Sequence, residues 1–241
     1  MGADQHIDWN AAAASALDWW HDAGVDTLVD EAPHQWLAAA VAAPATPAGP
    51  AALAPDRPAA LPDTIEAFAA WRTGPAAPDG KWGRAIAPTG DVGSGLMVLI
   101  DMPEREDADT GVLLSGDAGR LFDRMLAAIG RDRQSIYLAS LAVARAPSGQ
   151  IAAEWLDELT RLARHHVALA RPKRVLLLGN AASRALLGAN VAAARTRFHV
   201  LNHDRGTSEV VASFHPKFLL EQPARKAEAW RDLQMLIGGF E

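Results

Sequence analysis

Beyond residue 64 the apolar and polar positions follow two rhythms, and each predicts an element. The runs LMVLID (96–101), SIYLASL (135–141), RVLLLGN (174–180) and VVASF (210–214) are short and almost unbroken apolar stretches. Strands covered on both faces have this pattern. Between them, DAGRLFDRMLAAIG (117–130) repeats apolar residues at Leu121, Phe122, Met125, Leu126 and Ile129 and closes at Gly130. AAEWLDELTRLARHHVALA (152–170) repeats them at Trp155, Leu159 and Leu162 and stops before Pro172. Both segments have the spacing and stop signals of helices. Strand alternating with helix predicts a three-layer α/β/α fold around a central four-stranded parallel sheet. In such sheets sites form beyond the carboxyl ends of the strands. Those ends are Asp101-Met102-Pro103, Ser140, Gly179-Asn180 and Phe214-His215-Pro216, so Asp101, Ser140 and His215 are expected on one rim.

The first 63 residues follow a different pattern. Residues 11–24 and 29–42 read as two short helices rich in Ala, Trp and acidic residues, the first closing at Gly24 in a C-cap position. They predict a small helical module over 1–42 that suits docking to a protein partner. The stretch APATPAGPAALAPDRPAALPD (43–63) holds six prolines among alanines; it cannot sustain a helix and reads as an extended linker. The main domain is expected over 64–241.

Composition narrows the function classes. No apolar run approaches the ~18 residues that span a bilayer, and MGADQHIDWN lacks the basic-then-apolar order of a secretory signal, so the expectation is a cytoplasmic protein with no membrane partner. With no cysteine, disulfides, thiolate zinc sites and cysteine-ligated iron–sulfur clusters are excluded. The net charge of −6 conceals an asymmetry: residues 1–159 carry 10 Lys/Arg against 23 Asp/Glu, and residues 160–241 carry 13 against 6. A phosphate-binding face would therefore lie in the last third, where Lys217, Arg225 and Lys226 follow His215 on a basic amphipathic helix expected up to residue 236.

Several motifs carry weaker chemistry. The loop DMPEREDAD (101–109) concentrates five carboxylates against Arg105; it would repel phosphate, and it lacks calcium-loop spacing. His199 and His203 lie in FHVLNH, which reads as strand and turn, where positions four apart do not converge on a zinc ion. His165 and His166 are adjacent on a helix and face different directions. LLLGNAAS (176–183) is strand, glycine and helix without the glycine spacing or lysine of a nucleotide loop. No metal or cofactor is expected.

In order and spacing these rim segments resemble the uracil-DNA glycosylase superfamily, in particular its family 4 branch. IDMPEREDADTGVLLSGDAGRLFDRMLAAIG (100–130) is similar to that branch's first motif, loop and helix: Pro103 meets the motif proline, and Gly111 and Gly116 meet the loop glycines. YLAS (137–140) resembles its Tyr-x-x-Asn segment, ALARPKRVLLLGNAASRALLG (168–188) its third strand and helix, and SFHPKFLLEQPARKAEAWRDLQML (213–236) its closing His-Pro motif and last helix. LDWWHDAGVD (17–26) is similar to a short helical leader of some members.

The resemblance implies an enzyme of base excision repair, a hydrolase that flips a damaged base from DNA and cleaves its N-glycosidic bond. Asp101 then stands in place of the family's Glu and orients water, and His215 stabilises the leaving base. Met102, Pro103, Leu114 and Ser140 line the base pocket, Leu114 replacing the stacking Phe and Ser140 the base-reading Asn. Lys217, Arg225 and Lys226 meet DNA phosphate. Leu159 falls where a cluster cysteine would lie. The substituted pocket also admits a catalytically inactive scaffold of the same fold that binds DNA or a protein.

Overall fold

The computed structural model describes residues 61–238 and, ahead of them, Ser15 alone, a helical position. The chain divides into two units, Met1–Arg57 and Pro58–Glu241. The helical module expected over 1–42 lies outside the described residues apart from Ser15, as does the linker up to residue 60.

Helix α1 (Ile65–Arg72) opens the domain, its first turn capped by Thr64, whose hydroxyl accepts from Ala67 N. Strands β1 (Thr89–Gly90) and β2 (Leu96–Ile100) follow, then helices α2 (Arg105–Thr110) and α3 (Gly116–Ala128), β3 (Tyr137–Ser140), α4 (Ala153–Ala170) and β4 (Arg174–Leu178). The chain continues through α5 (Asn180–Leu187), α6 (Val191–Ala194), β5 (His199–His203), β6 (Gly206–Ser213), α7 (Pro216–Glu221) and α8 (Lys226–Ile237).

The strands form one sheet in the order β1-β3-β2-β4-β6-β5. Its centre is the expected set of four parallel strands. Two antiparallel edge strands extend the sheet beyond that expectation: β1 pairs with β3, and β5 folds back on β6. Their signals are weak for physical reasons. Strand β1 is two exposed residues, and β5 buries Leu201 alone among its five.

Every residue of β2 and β4 is buried, and alternation assigns each to a face. Met97, Leu99, Val175 and Leu177 pack with Phe68 of α1 and Leu159, Leu162 and Val167 of α4. Leu96, Val98, Ile100, Leu176 and Leu178 pack with Phe122 and Leu126 of α3 and Leu233 and Leu236 of α8. Period-two side chains on a sheet between helical layers give two cores, so both faces of these strands read as apolar.

Two expectations change in detail. The acidic stretch after β2 is not an open loop. Residues 105–110 form α2, and the buried Asp107 carboxylate accepts from Glu104 N, Leu114 N and Ser115 N at 2.7–3.0 Å. The basic helix after His215 is broken into α7, a 3₁₀ turn (Pro223–Arg225) and α8. Pro223 has no N–H to continue α7, and it holds Gln222 outside the helical region at φ −126°, ψ 71°.

The register fixes where chemistry can occur. Ser140, Ile100, Leu178 and Ser213, the last residues of the four parallel strands, lie in one row across the sheet. The residues that follow leave from the same edge. Among the described residues no helix is long and apolar enough to cross a membrane.

Candidate active site

Beyond that edge lies a cleft of about 670 Å³, with Asp101 just after β2, Gly179 and Asn180 just after β4, and Phe214 and His215 just after β6 among its walls. This is the size class of a small-molecule or nucleotide pocket.

The Asp101 carboxylate sits against the first turn of α5, with Oδ1 accepting from Ala182 N at 2.7 Å. The N–H groups of Asn180 and Ala181 also favour its charge, but burial outweighs them and pushes its pKa up. Gly179 makes this approach possible. Its φ of +125° belongs to glycine, and a Cβ there would collide with the Asp101 carboxyl group. Gly179→Ala is therefore expected to cost at least about 1–3 kcal/mol, read as a lower urea midpoint; an unchanged midpoint would mean that Asp101 does not need this approach.

His215 caps α7, and its Nδ1 accepts from Lys217 N at 3.3 Å. This bond places the ring proton on Nε2. Burial lowers the His215 pKa to about 4, so the ring is neutral at pH 7 and Nε2 is a donor without net charge. Glu104 is the hub beside it: its Oε2 receives Lys217 Nζ at 2.9 Å and Arg145 at 3.3 Å, and its Oε1 lies 3.9 Å from His215 Nδ1. Sequence periodicity does not mark Glu104 and Arg145 as site residues, because these contacts join positions 41 and 113 residues apart.

The far wall is a second network. Arg195 is paired with Glu228 and, at 3.1 Å, with the buried Asp232, which also accepts from Ser213 Oγ at 2.8 Å. The Arg195 guanidinium lies over the Phe214 ring, 4.8 Å from its centroid, and Phe218 lies 5.1 Å from Phe214. Arg225 pairs with Glu228 at 2.6 Å. All four cations of the cleft, Arg145, Arg195, Lys217 and Arg225, thus have a carboxylate partner.

Of the residues expected at the site, Asp101, Met102, His215, Lys217 and Arg225 line this cleft. Pro103 is buried beside it, its carbonyl accepting from Arg145 at 3.1 Å. Three residues are set elsewhere. Leu114 is 0% exposed within the α3-side core. Asp107 holds its N–H, Arg133 holds its carbonyl at 2.6 Å, and an aliphatic side chain gains by burial. Ser140 is 7% exposed and borders a void of about 10 Å³ with Arg72, Ile86 and His166. Its Oγ is buried with no hydrogen-bond partner. Lys226 lies on an apolar groove between α3 and α8, with Leu121, Met125 and Trp230.

Two histidines, His166 buried and His215 partly buried, set a pH dependence. Burial lowers His215 to about 4 and His166, which is hydrogen-bonded to Tyr137 at 2.9 Å, to about 3. Below about pH 6.5 the unfolded chain takes up protons that these folded rings refuse, so stability is lost as pH falls from about 6.5 toward 4. Asp101 and Asp232, both raised by burial, act in the opposite direction and offset part of the loss. The urea midpoint is expected to fall steadily over that window; a flat midpoint would mean that both rings are open to solvent protons.

An iron–sulfur cluster does not fit this chain. It has no cysteine, and Leu159, expected where a cluster ligand would lie, is 0% exposed in the α4-side core. Among the described residues no group of three or more His, Asp or Glu side chains is placed to hold a metal ion.

The model of the uracil DNA glycosylase superfamily matches residues 87–234, a span that includes every wall of the cleft. The type-4 uracil-DNA glycosylase of Pyrobaculum aerophilum is 22% identical over 166 residues, covering 64% of this chain and 83% of that protein. The matched span is more than half of the chain, and the chain belongs to the uracil-DNA glycosylase superfamily.

Proposed function

We propose that this chain is a divergent DNA N-glycosylase that hydrolyses the bond between deoxyribose and a damaged base, with Asp101 and His215 as its catalytic residues. The observation that carries this reading is the meeting of a neutral imidazole donor and a partly buried carboxylate in one cleft of nucleotide size. As the C1′–N bond breaks, its electron pair moves onto the base, and His215 Nε2–H stabilises the charge on a base oxygen. The sugar gains oxocarbenium character, which the Asp101 carboxylate offsets. Water held by Asp101 adds to C1′, and its proton passes to the departing base or to solvent. Met102 and Pro103 shape the floor beside Asp101.

DNA is the partner in this reading, and the cytoplasm its compartment. Lys217 and Arg225 reach phosphate by leaving Glu104 and Glu228. Such half-exposed ion pairs are worth only about 0–1 kcal/mol, so a phosphodiester competes with them.

A second reading rests on a specific observation: the cleft cations are already paired with carboxylates, and Leu114 is withdrawn into the core. A non-catalytic scaffold of this fold, docking a protein through the N-terminal helices, has no use for a free phosphate track. One assay separates the two. The protein is incubated with labelled single- and double-stranded DNA containing uracil, hypoxanthine or xanthine, and abasic sites are scored by alkaline cleavage. Base release with at least one substrate is expected; none at enzyme excess, with the fold intact, would leave the scaffold.

A further inference from the structure

We infer that Phe218, backed by Phe214 and Arg195, is the surface on which this cleft stacks a nucleobase; the inference rests on the glycosylase reading and adds a binding residue that the motif comparison does not supply. Leu114, the motif counterpart of a stacking ring, is fully buried and faces the core. The cleft has a different source of aromatic surface. Phe214 and Phe218 both line it, on either side of His215 in the chain. Their rings lie 5.1 Å apart at 31°, and Arg195 lies over Phe214 at 4.8 Å.

The stack is anchored from behind. Arg195 is held by Glu228 and by the buried Asp232, and Asp232 is tied to Ser213 at the end of β6. Phe218 stands one helical turn into α7, and 38% of its surface is exposed. A ring held by a fixed neighbour and open on its cleft side is preorganised for another flat π-system, and every nucleobase has such a face. His215, which adjoins Phe214 and precedes Phe218 by three residues, is then the donor for an oxygen on the stacked base.

The test uses the full chain and pairs of fluorescein-labelled single-stranded oligonucleotides identical except at one position. One of each pair carries a 2′-fluoro nucleotide of uracil or hypoxanthine, whose N-glycosidic bond resists cleavage; the other carries a base-free tetrahydrofuran residue. Anisotropy titrations give the affinity gained from the base. Wild type is expected to bind the base-bearing strand more tightly, Phe218→Ala to lose about 5- to 100-fold of that advantage, and Phe218→Trp to restore it. Thermal melting checks that Phe218→Ala is folded, and Phe218→Trp retains a ring whatever the melting shows. An equal affinity of wild type for both strands, or an advantage that Phe218→Ala keeps, overturns the inference. A base-dependent advantage without release from cleavable substrates keeps the stacking surface and removes the glycosylase reading. Release that Phe218→Ala leaves unaltered, with the base advantage intact, removes the stacking surface alone.

Discussion

Replacing His215 with alanine is expected to slow single-turnover base release by about 10²–10³-fold, the usual effect of removing one preorganised donor to a developing oxyanion. The ring is suited to this role by its surroundings. Lys217 N–H occupies Nδ1, so Nε2 carries the proton, and burial keeps the ring neutral down to about pH 4. A neutral donor does not titrate near physiological pH, so the rate should show no step attributable to imidazole between about pH 6 and 8. A bell-shaped profile centred near the ordinary histidine value of about 6.5 would mean that the ring is protonated in the active form, contrary to the geometry. Asp101→Asn keeps an oxygen for Ala182 N–H and removes the charge; it should retain stability while losing rate, which separates its chemical role from its place against α5.

Asp79→Ala is expected to be the most destabilising single change, by about 3–5 kcal/mol. Asp79 is 0% exposed and pairs with Arg72, also buried, in a two-pronged contact. Its Oδ2 further accepts from Val143 N at 2.7 Å, while Arg72 donates to Leu141 O at 2.8 Å. Truncation takes the carboxylate from a buried guanidinium and leaves the Val143 N–H without its acceptor, which costs more than the pair itself is worth. The clamp also has a functional consequence. It fixes the chain leaving β3, the segment that delivers Arg145 to Glu104 across the cleft. Chemical denaturation should show the loss as a lowered midpoint with unchanged slope; a shift below about 1 kcal/mol would mean that the segment is held by other contacts.

How much of this was legible in sequence depends on the range of the interaction. The four parallel strands and helices α3 and α4 announce themselves because their patterns are local: unbroken apolar runs, helical spacing, a closing glycine. From those runs alone Asp101 and His215 could be placed on a common edge, since a parallel sheet aligns its strand ends. Ser140 shares that edge yet borders a small void with Arg72 and His166, because it is still a strand residue, whereas Asp101 and His215 stand one and two residues beyond their strand ends. Leu114 lies away from the cleft for a different reason. Its motif position suggests a pocket wall, but the carboxylate of Asp107, seven residues earlier, and Arg133, nineteen later, draw its backbone inward. The acidic stretch likewise read as a repelling loop, although Asp107 is a buried cap and Glu104 a hub for two cations. Charge counts register a carboxylate without recording its partner.

In the proposed reaction Asp101 and His215 act together on one substrate in one cleft. The most direct test is a double-mutant cycle on single-turnover base release, comparing wild type, Asp101→Asn, His215→Ala and the double variant at enzyme excess. Groups that serve one transition state lose far less together than the product of their separate losses, so the double variant is expected to fall close to the slower single variant. Losses that multiply in full, or a wild-type chain that releases no base from any strand, would contradict the account.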